Sequence, residues 1–233
     1  MQRLTAARIW DGMSSAMLAD LARLFFLVAP FTLLPAVAVE LFGPPVPATL
    51  AAITPSQMVF RLALPSLIGA IGQLAAAGLV LRVDAAPRDA LRTAFAMWPA
   101  FVVAQLLGSF PVGIAGLLLV LPGVWLFGRL LFVSGALAMA EGGTPFQLLR
   151  RNWALTENAG LQIFLFLLLG LLGLLGIEIL AEGAGAALQV VAGTIGLGGV
   201  GHFLRALVPG IANGLVTIAI AVAGVVAYRQ LAD

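Results

Sequence analysis

Long apolar runs separated by short arginine-bearing segments make up almost the whole chain. Residues 24–41 are apolar with a single acid, Glu40, at the far end, and a helix of about 20 such residues crosses a bilayer core. Pro30 and Pro35 lie inside this run, which a membrane helix tolerates when its neighbours satisfy the freed carbonyls. Gly43-Pro44-Pro45-Val46-Pro47 ends it, and the segment to Gln57 reads as a loop. Residues 62–81 form the second predicted span, with Ser66, Gly69, Gly72 and Ala76 spaced so that helix backbones can approach closely in lipid. Arg82, Asp84, Arg88, Asp89 and Arg92 then mark a charged loop containing a short amphipathic helix, PRDALRTAF.

No charge occurs between Arg92 and Arg129. That stretch predicts a third span near 94–109, a turn at Phe110-Pro111-Val112-Gly113, and a fourth span over 114–140 broken at Pro122-Gly123. Residues 141–158 read as a second interfacial helix carrying Arg150 and Arg151. A leucine-rich fifth span covers 161–180, with Glu178 and Glu182 at its far end. Residues 183–204 are apolar but rich in glycine; they read as a bent, partly re-entrant or surface helix, with a seventh full span as the alternative. The last span, 206–228, has Gly210 and Gly214 at the GxxxG spacing of close helix contacts.

Composition makes lipid part of the solvent. Of 233 residues, 62% are hydrophobic and 9% charged, against the roughly 25% charged that a soluble domain uses to cover its surface. The 12 basic residues are all arginine, a bias of the kind a GC-rich bacterial genome produces, and the absence of cysteine excludes disulfide and thiolate chemistry. A net charge of +2 is too small to point to nucleic acid. The polar lead before the first span contains acids, so that span reads as an uncleaved helix even though Ala36-Val37-Ala38 resembles a signal-peptidase site.

The arginines also set an expected topology. With six spans and the N-terminus inside, Arg3, Arg8, Arg23, Arg82, Arg88, Arg92, Arg150, Arg151 and Arg229 fall on the cytoplasmic side, while Arg61 and Arg205 fall outside. This is the positive-inside bias, and it places both termini in the cytoplasm of a bacterial inner membrane. Three segments, RLTAARIWDG, RDALRTAFAMWPA and PFQLLRRNWALTE, share apolar residues at helical spacing, an arginine and then a tryptophan. Each precedes an outgoing and a returning span, which suggests a three-fold repeat of surface helix plus hairpin. Their Arg8, Trp10, Arg92, Trp98, Arg150, Arg151 and Trp153 are the candidate contacts to anionic lipid headgroups, since arginine and tryptophan favour the interface.

Arg129 is the sharpest single residue. It precedes Glu141 by 12 positions, which on a straight helix is about 18 Å and puts it near the bilayer middle. An arginine there costs about 2.5–3.5 kcal/mol on insertion scales, so it must face the bundle interior with partners. Gln73 and Gln105 on neighbouring spans, and carbonyls freed near Pro122, are the expected acceptors. The site reads either as a polar knot that fixes helix packing or as a contact for an anion or lipid headgroup. His202, the only histidine, cannot build a multi-histidine metal site, and GLGGVG at 196–201 follows no strand and is not a nucleotide loop. The chain presents no nucleophile–base pair and no cofactor motif.

Leu121-Pro122-Gly123, Arg129-Leu130, Glu141-Gly142 and the amphipathic run Arg150 through Thr156 together resemble the pattern of the YciC-like bacterial membrane proteins, also found in the membrane domain fused to some glycerophosphodiester phosphodiesterases. Tyr228-Arg229 fits the same pattern. The resemblance implies a multi-span inner-membrane protein linked to envelope maintenance. The phosphodiesterase activity does not carry over, because the acids and histidines of its metal site are missing from this sequence. The expectation is therefore an all-α polytopic bundle of about six spans in one domain, residues 1–233. Its expected role is a non-enzymatic scaffold that meets lipid and partner proteins, with a small transporter or channel for an anionic or amphipathic substrate as the alternative.

Overall fold

A computed structural model describes residues 4–45, 54–82 and 84–232. The described chain is an all-α bundle in which six helices are long and apolar enough to cross a membrane, as a polytopic membrane protein requires. A short amphipathic helix, α1 (Ala6–Ala19), is capped by the Thr5 side chain, which accepts from the Arg8 N–H. It leads into α2 (Leu21–Phe42), the first span. Residues 46–53 of the predicted loop lie outside the described residues. The second span, α3 (Pro55–Leu81), starts at a Thr54/Gln57 capping box with Pro55 in the first turn, where a proline loses no helix bond.

The middle of the chain departs from the predicted boundaries. The charged PRDALRTAF segment is not a separate surface helix: α4 (Pro87–Leu118) is continuous through Pro99 and Pro111, and the predicted turn at 110–113 is helical. The chain reverses at Leu119 alone, in extended conformation. The helix α5 (Val120–Leu130) then returns, and Pro122 in its first turn breaks nothing. A Cβ on Gly123 would stand 2.8 Å from Gly116 Cα, so two glycines let the backbones of this hairpin touch. The interruption falls later, between α5 and α6 (Ser134–Ala140).

Gly142 and Gly143, at φ +69° and +115°, turn the chain into α7 (Pro145–Leu155), whose start is fixed by a Thr144/Gln147 capping box. Two 35-residue helices follow, α8 (Gly160–Thr194) and α9 (Gly198–Ala232). Residues 183–204 are thus neither re-entrant nor a span of their own; they are the apolar ends of these helices and the turn joining them, with Gly196 at φ +79°.

α9 is the centre of the bundle and packs on α1, α2, α3, α6 and α8. Its GxxxG face meets α2: a Cβ at Gly210 would lie 2.9 Å from Leu33, and one at Gly214 would lie 3.1 Å from Thr32 Oγ1. Gly72 of α3 similarly faces Val28 and Phe31 of α2. Fully buried Leu24, Val28, Leu74, Val133, Ile218, Val222 and Val225 form the core. The hairpin α4–α5 stands at the side, and Leu117 to Leu121 at its turn are exposed.

Two polar layers bound this apolar body. At the face that carries Leu4 and Ala232, Arg23 pairs with Asp20 at 3.3 Å and donates to Ala85 O at 2.6 Å. There Arg229 donates to Val80 O at 2.7 Å and Tyr228 to Glu141 at 2.9 Å. At the opposite face, Glu40 pairs with Arg61 at 3.4 Å and Arg205 at 3.8 Å, and Arg205 also donates to Gln189, itself beside His202. At 1.5 Å per residue, Arg23 to Glu40 covers about 26 Å and Arg205 to Arg229 about 36 Å, which brackets the roughly 30 Å of a bilayer core. Both 35-residue helices are longer than that core, so their joined ends project past the second polar layer.

Candidate functional site

The arginine-rich face carries the candidate site, where α7 is joined to the interruption between α5 and α6. Asn152, with no exposed surface, inserts its carboxamide into the helix ladder. In an unbroken helix the Val133 N–H would donate to the Arg129 carbonyl, four residues back. Instead, Val133 N donates to Asn152 Oδ1 at 3.0 Å, and Asn152 Nδ2 donates to Arg129 O at 2.7 Å. One helix bond is replaced by two, and the kink follows from this inserted side chain. The flanking groups are also satisfied: Phe132 N donates to Phe127 O at 3.1 Å and Ser134 Oγ to Leu131 O at 2.5 Å.

Thr156 completes the knot. Its hydroxyl donates to Asn152 O at 2.8 Å and accepts from Arg129 Nη1 at 3.2 Å. The Arg129 guanidinium lies over the Trp153 ring at 4.3 Å and near Trp125 at 5.8 Å, while the two indoles meet edge to face. Arg129 is 5% exposed, and its Nε is buried with no hydrogen-bond partner. It takes part in no salt bridge among the described residues. Its Cδ lies 3.3 Å from the position a Cβ on Gly160 would occupy. It is therefore level with the first residue of α8, at the arginine-rich end of that span rather than in the middle of the bilayer.

The predicted partners do not meet it. Gln73 Nε2 lies near Gly135, and Gln105 is half-buried on α4; neither hydrogen-bonds Arg129, and Pro122 is at the other end of α5. The residues that sequence reasoning missed are Asn152 and Thr156. The signal for them was present: Leu148, Asn152 and Thr156 lie four residues apart on one helical stripe, so a polar pair occupies the buried face of an amphipathic helix.

The interfacial candidates divide by role. Arg150 and Arg151 are exposed, and Arg151 pairs with Glu141 at 3.4 Å beside an open hollow of about 470 Å³ that Gln147 and Arg150 also line. Arg92 is exposed on the helical start of α4. Arg8 is exposed on α1, and Trp10 stacks against Phe166 at 6.2 Å. Trp98 donates its indole N–H to Leu67 O at 2.8 Å, which joins α4 to α3. The three tryptophans of the suggested repeat therefore make three different contacts, and the middle unit lacks a separate surface helix.

A second cavity, about 510 Å³, lies among α1, α4, α5, α8 and α9 and is lined by apolar side chains and glycines such as Phe127, Phe166, Gly170, Gly173 and Val216. Arg129 is not among its lining residues. Glu178 stands near the middle of α8 rather than at a helix end, with Glu182 one turn on. No group of three or more metal-ligating side chains comes together among the described residues. Comparison with protein-family models, curated proteins and solved structures returns no match.

Proposed function

We propose that this protein is a non-enzymatic scaffold of a bacterial inner membrane, with its arginine-rich face in the cytoplasm. The observation that carries the reading is the pinning of α7 by Asn152, Thr156 and Arg129. The buried side of α7 is spent on fixing the helix in place, and its other side presents Phe146, Arg150, Arg151 and Trp153 to the interface. A basic, aromatic helix held rigidly at the inner leaflet suits contact with anionic headgroups, each arginine contributing about 1 kcal/mol, and with partner proteins. The YciC-like pattern supports the same reading, because Arg129 and the run Arg150 through Thr156 that it includes contain the three residues of the pin.

A second reading, a transporter of apolar or amphipathic solutes, is favoured by the 510 Å³ cavity. Its apolar lining suits a hydrocarbon better than an ion. Gly173 lines it, and a Cβ there meets nothing within 4 Å, so Gly173→Leu can place a side chain at its wall. Photo-crosslinkers at Phe146 and Arg150, together with solute flux in proteoliposomes, separate the two readings. The scaffold predicts crosslinks to lipid or to a defined protein, and no flux above empty liposomes. Saturable flux abolished by Gly173→Leu would replace it with the transporter.

A further inference from the structure

We infer that the notch formed by Arg129, Trp125 and the start of α8 binds a phosphate group, either the headgroup of an inner-leaflet lipid or a free phosphate. The inference deepens the lipid-contacting part of the scaffold reading and rests on it for the choice of leaflet. The first observation is the arginine itself: buried, permanently charged and, among the described residues, in no salt bridge and with Nε unpartnered. A buried cation lacking a paired anion is incomplete. The acid whose charge reaches it, Glu157, is exposed and stays outside salt-bridge range.

The second observation is what the arginine lies against. α8 begins at Gly160, and its N-cap, Ala159, offers no side-chain hydrogen bond. The first intrahelical bond runs from Ile163 N to Ala159 O, so the N–H groups of Gly160, Leu161 and Gln162 precede the ladder. A helix N-terminus carries about half a positive charge and binds phosphate readily. Gly160 permits the approach, since a Cβ there would sit 3.3 Å from Arg129 Cδ and 3.8 Å from Trp125 Nε1. Among the described residues that indole N–H has no hydrogen-bond acceptor, and Trp125 and Trp153 are each 40% exposed. The Arg129 Cδ that carries the unpartnered Nε and the Trp125 indole N–H thus both lie beside the first residue of α8, at the level of the polar layer.

The test uses the full chain in detergent, titrated with short-chain phosphatidylglycerol, with phosphatidylcholine and with inorganic phosphate, and read by native mass spectrometry and tryptophan fluorescence. Arg129→Gln is expected to lose the bound species, but it also touches the fold. Trp125→Phe and Glu157→Gln settle the matter, because one removes the indole N–H but keeps an aromatic ring and the other is on the surface. Trp125→Phe should weaken phosphatidylglycerol binding at least threefold. Glu157→Gln should tighten it about twofold by removing the competing charge, an effect that a purely structural arginine would not produce. Saturation by inorganic phosphate with the same dependence on both variants supports the site and identifies a free anion as its ligand. Equal binding by wild type, Trp125→Phe and Glu157→Gln overturns the phosphate site, while the crosslinking outcome for the scaffold stands apart from it.

Discussion

Asn152 does what no apolar residue could do at that position. It satisfies a backbone donor and a backbone acceptor that the kink separates, and it ties a surface helix to a span. In a medium without water, each such group left unsatisfied costs about 1–3 kcal/mol or more. Asn152→Leu should therefore lower stability by about 2–4 kcal/mol, measured by unfolding in mixed micelles. Thr156→Val should cost less, about 1 kcal/mol, since it removes one hydroxyl. The two losses should be strongly non-additive, because the side chains share Arg129. Additive losses would mean that Arg129 does not couple them.

At the scale of the element, small residues decide which helices touch. A Cβ on Gly224 of α9 would stand 2.9 Å from Phe132 O, which is backbone beside the kink and cannot move aside cheaply. Gly224→Ala should destabilise by about 1–3 kcal/mol through overpacking, whereas Gly173→Leu should leave the melting temperature within a few degrees of wild type. The spans themselves were legible in the sequence, because lipid demands long uninterrupted apolar runs and 9% charge leaves few places to put anything else. The breaks within the uncharged stretch were not. Proline and glycine signal turns where water can satisfy the freed backbone. Here Pro99 and Pro111 are absorbed inside α4, Pro122 occupies a first turn, and the reversal happens at Leu119, between Leu118 and Val120. Residues 183–204 misled for the related reason that glycine in a membrane helix more often marks close packing than an end: Gly185 and Gly201 would each place a Cβ at 2.9–3.0 Å from the backbone of the facing helix.

At the scale of the molecule, two polar layers about a bilayer core apart hold a bundle centred on α9. Nearly all the described arginines lie on the face shared by α1, α7 and the start of α4. The proposed orientation puts that face in the cytoplasm, and the chain, having no native cysteine, permits a clean check. Thr194→Cys at the α8–α9 turn should react with a membrane-impermeant maleimide from outside the cell, and Arg88→Cys should react only after permeabilisation. The reverse pattern would invert the topology.

The candidate site was only half legible. The Arg129 and Arg150 through Thr156 motifs could be read in the sequence as belonging together. The depth of Arg129 could not be read, because counting to Glu141 assumed a straight helix, and the kink and its cause lie in a side chain 23 positions away. That long-range contact is what holds α7 in place. Hydrogen exchange of wild type and Asn152→Leu in nanodiscs measures it directly. The amides of α7 and of Val133 should exchange at least tenfold faster in the variant, while those of α2, α3 and the centre of α9 keep their protection. Unchanged protection of α7 in a folded variant would show that the helix is not held by the knot, and would remove the basis of the scaffold reading.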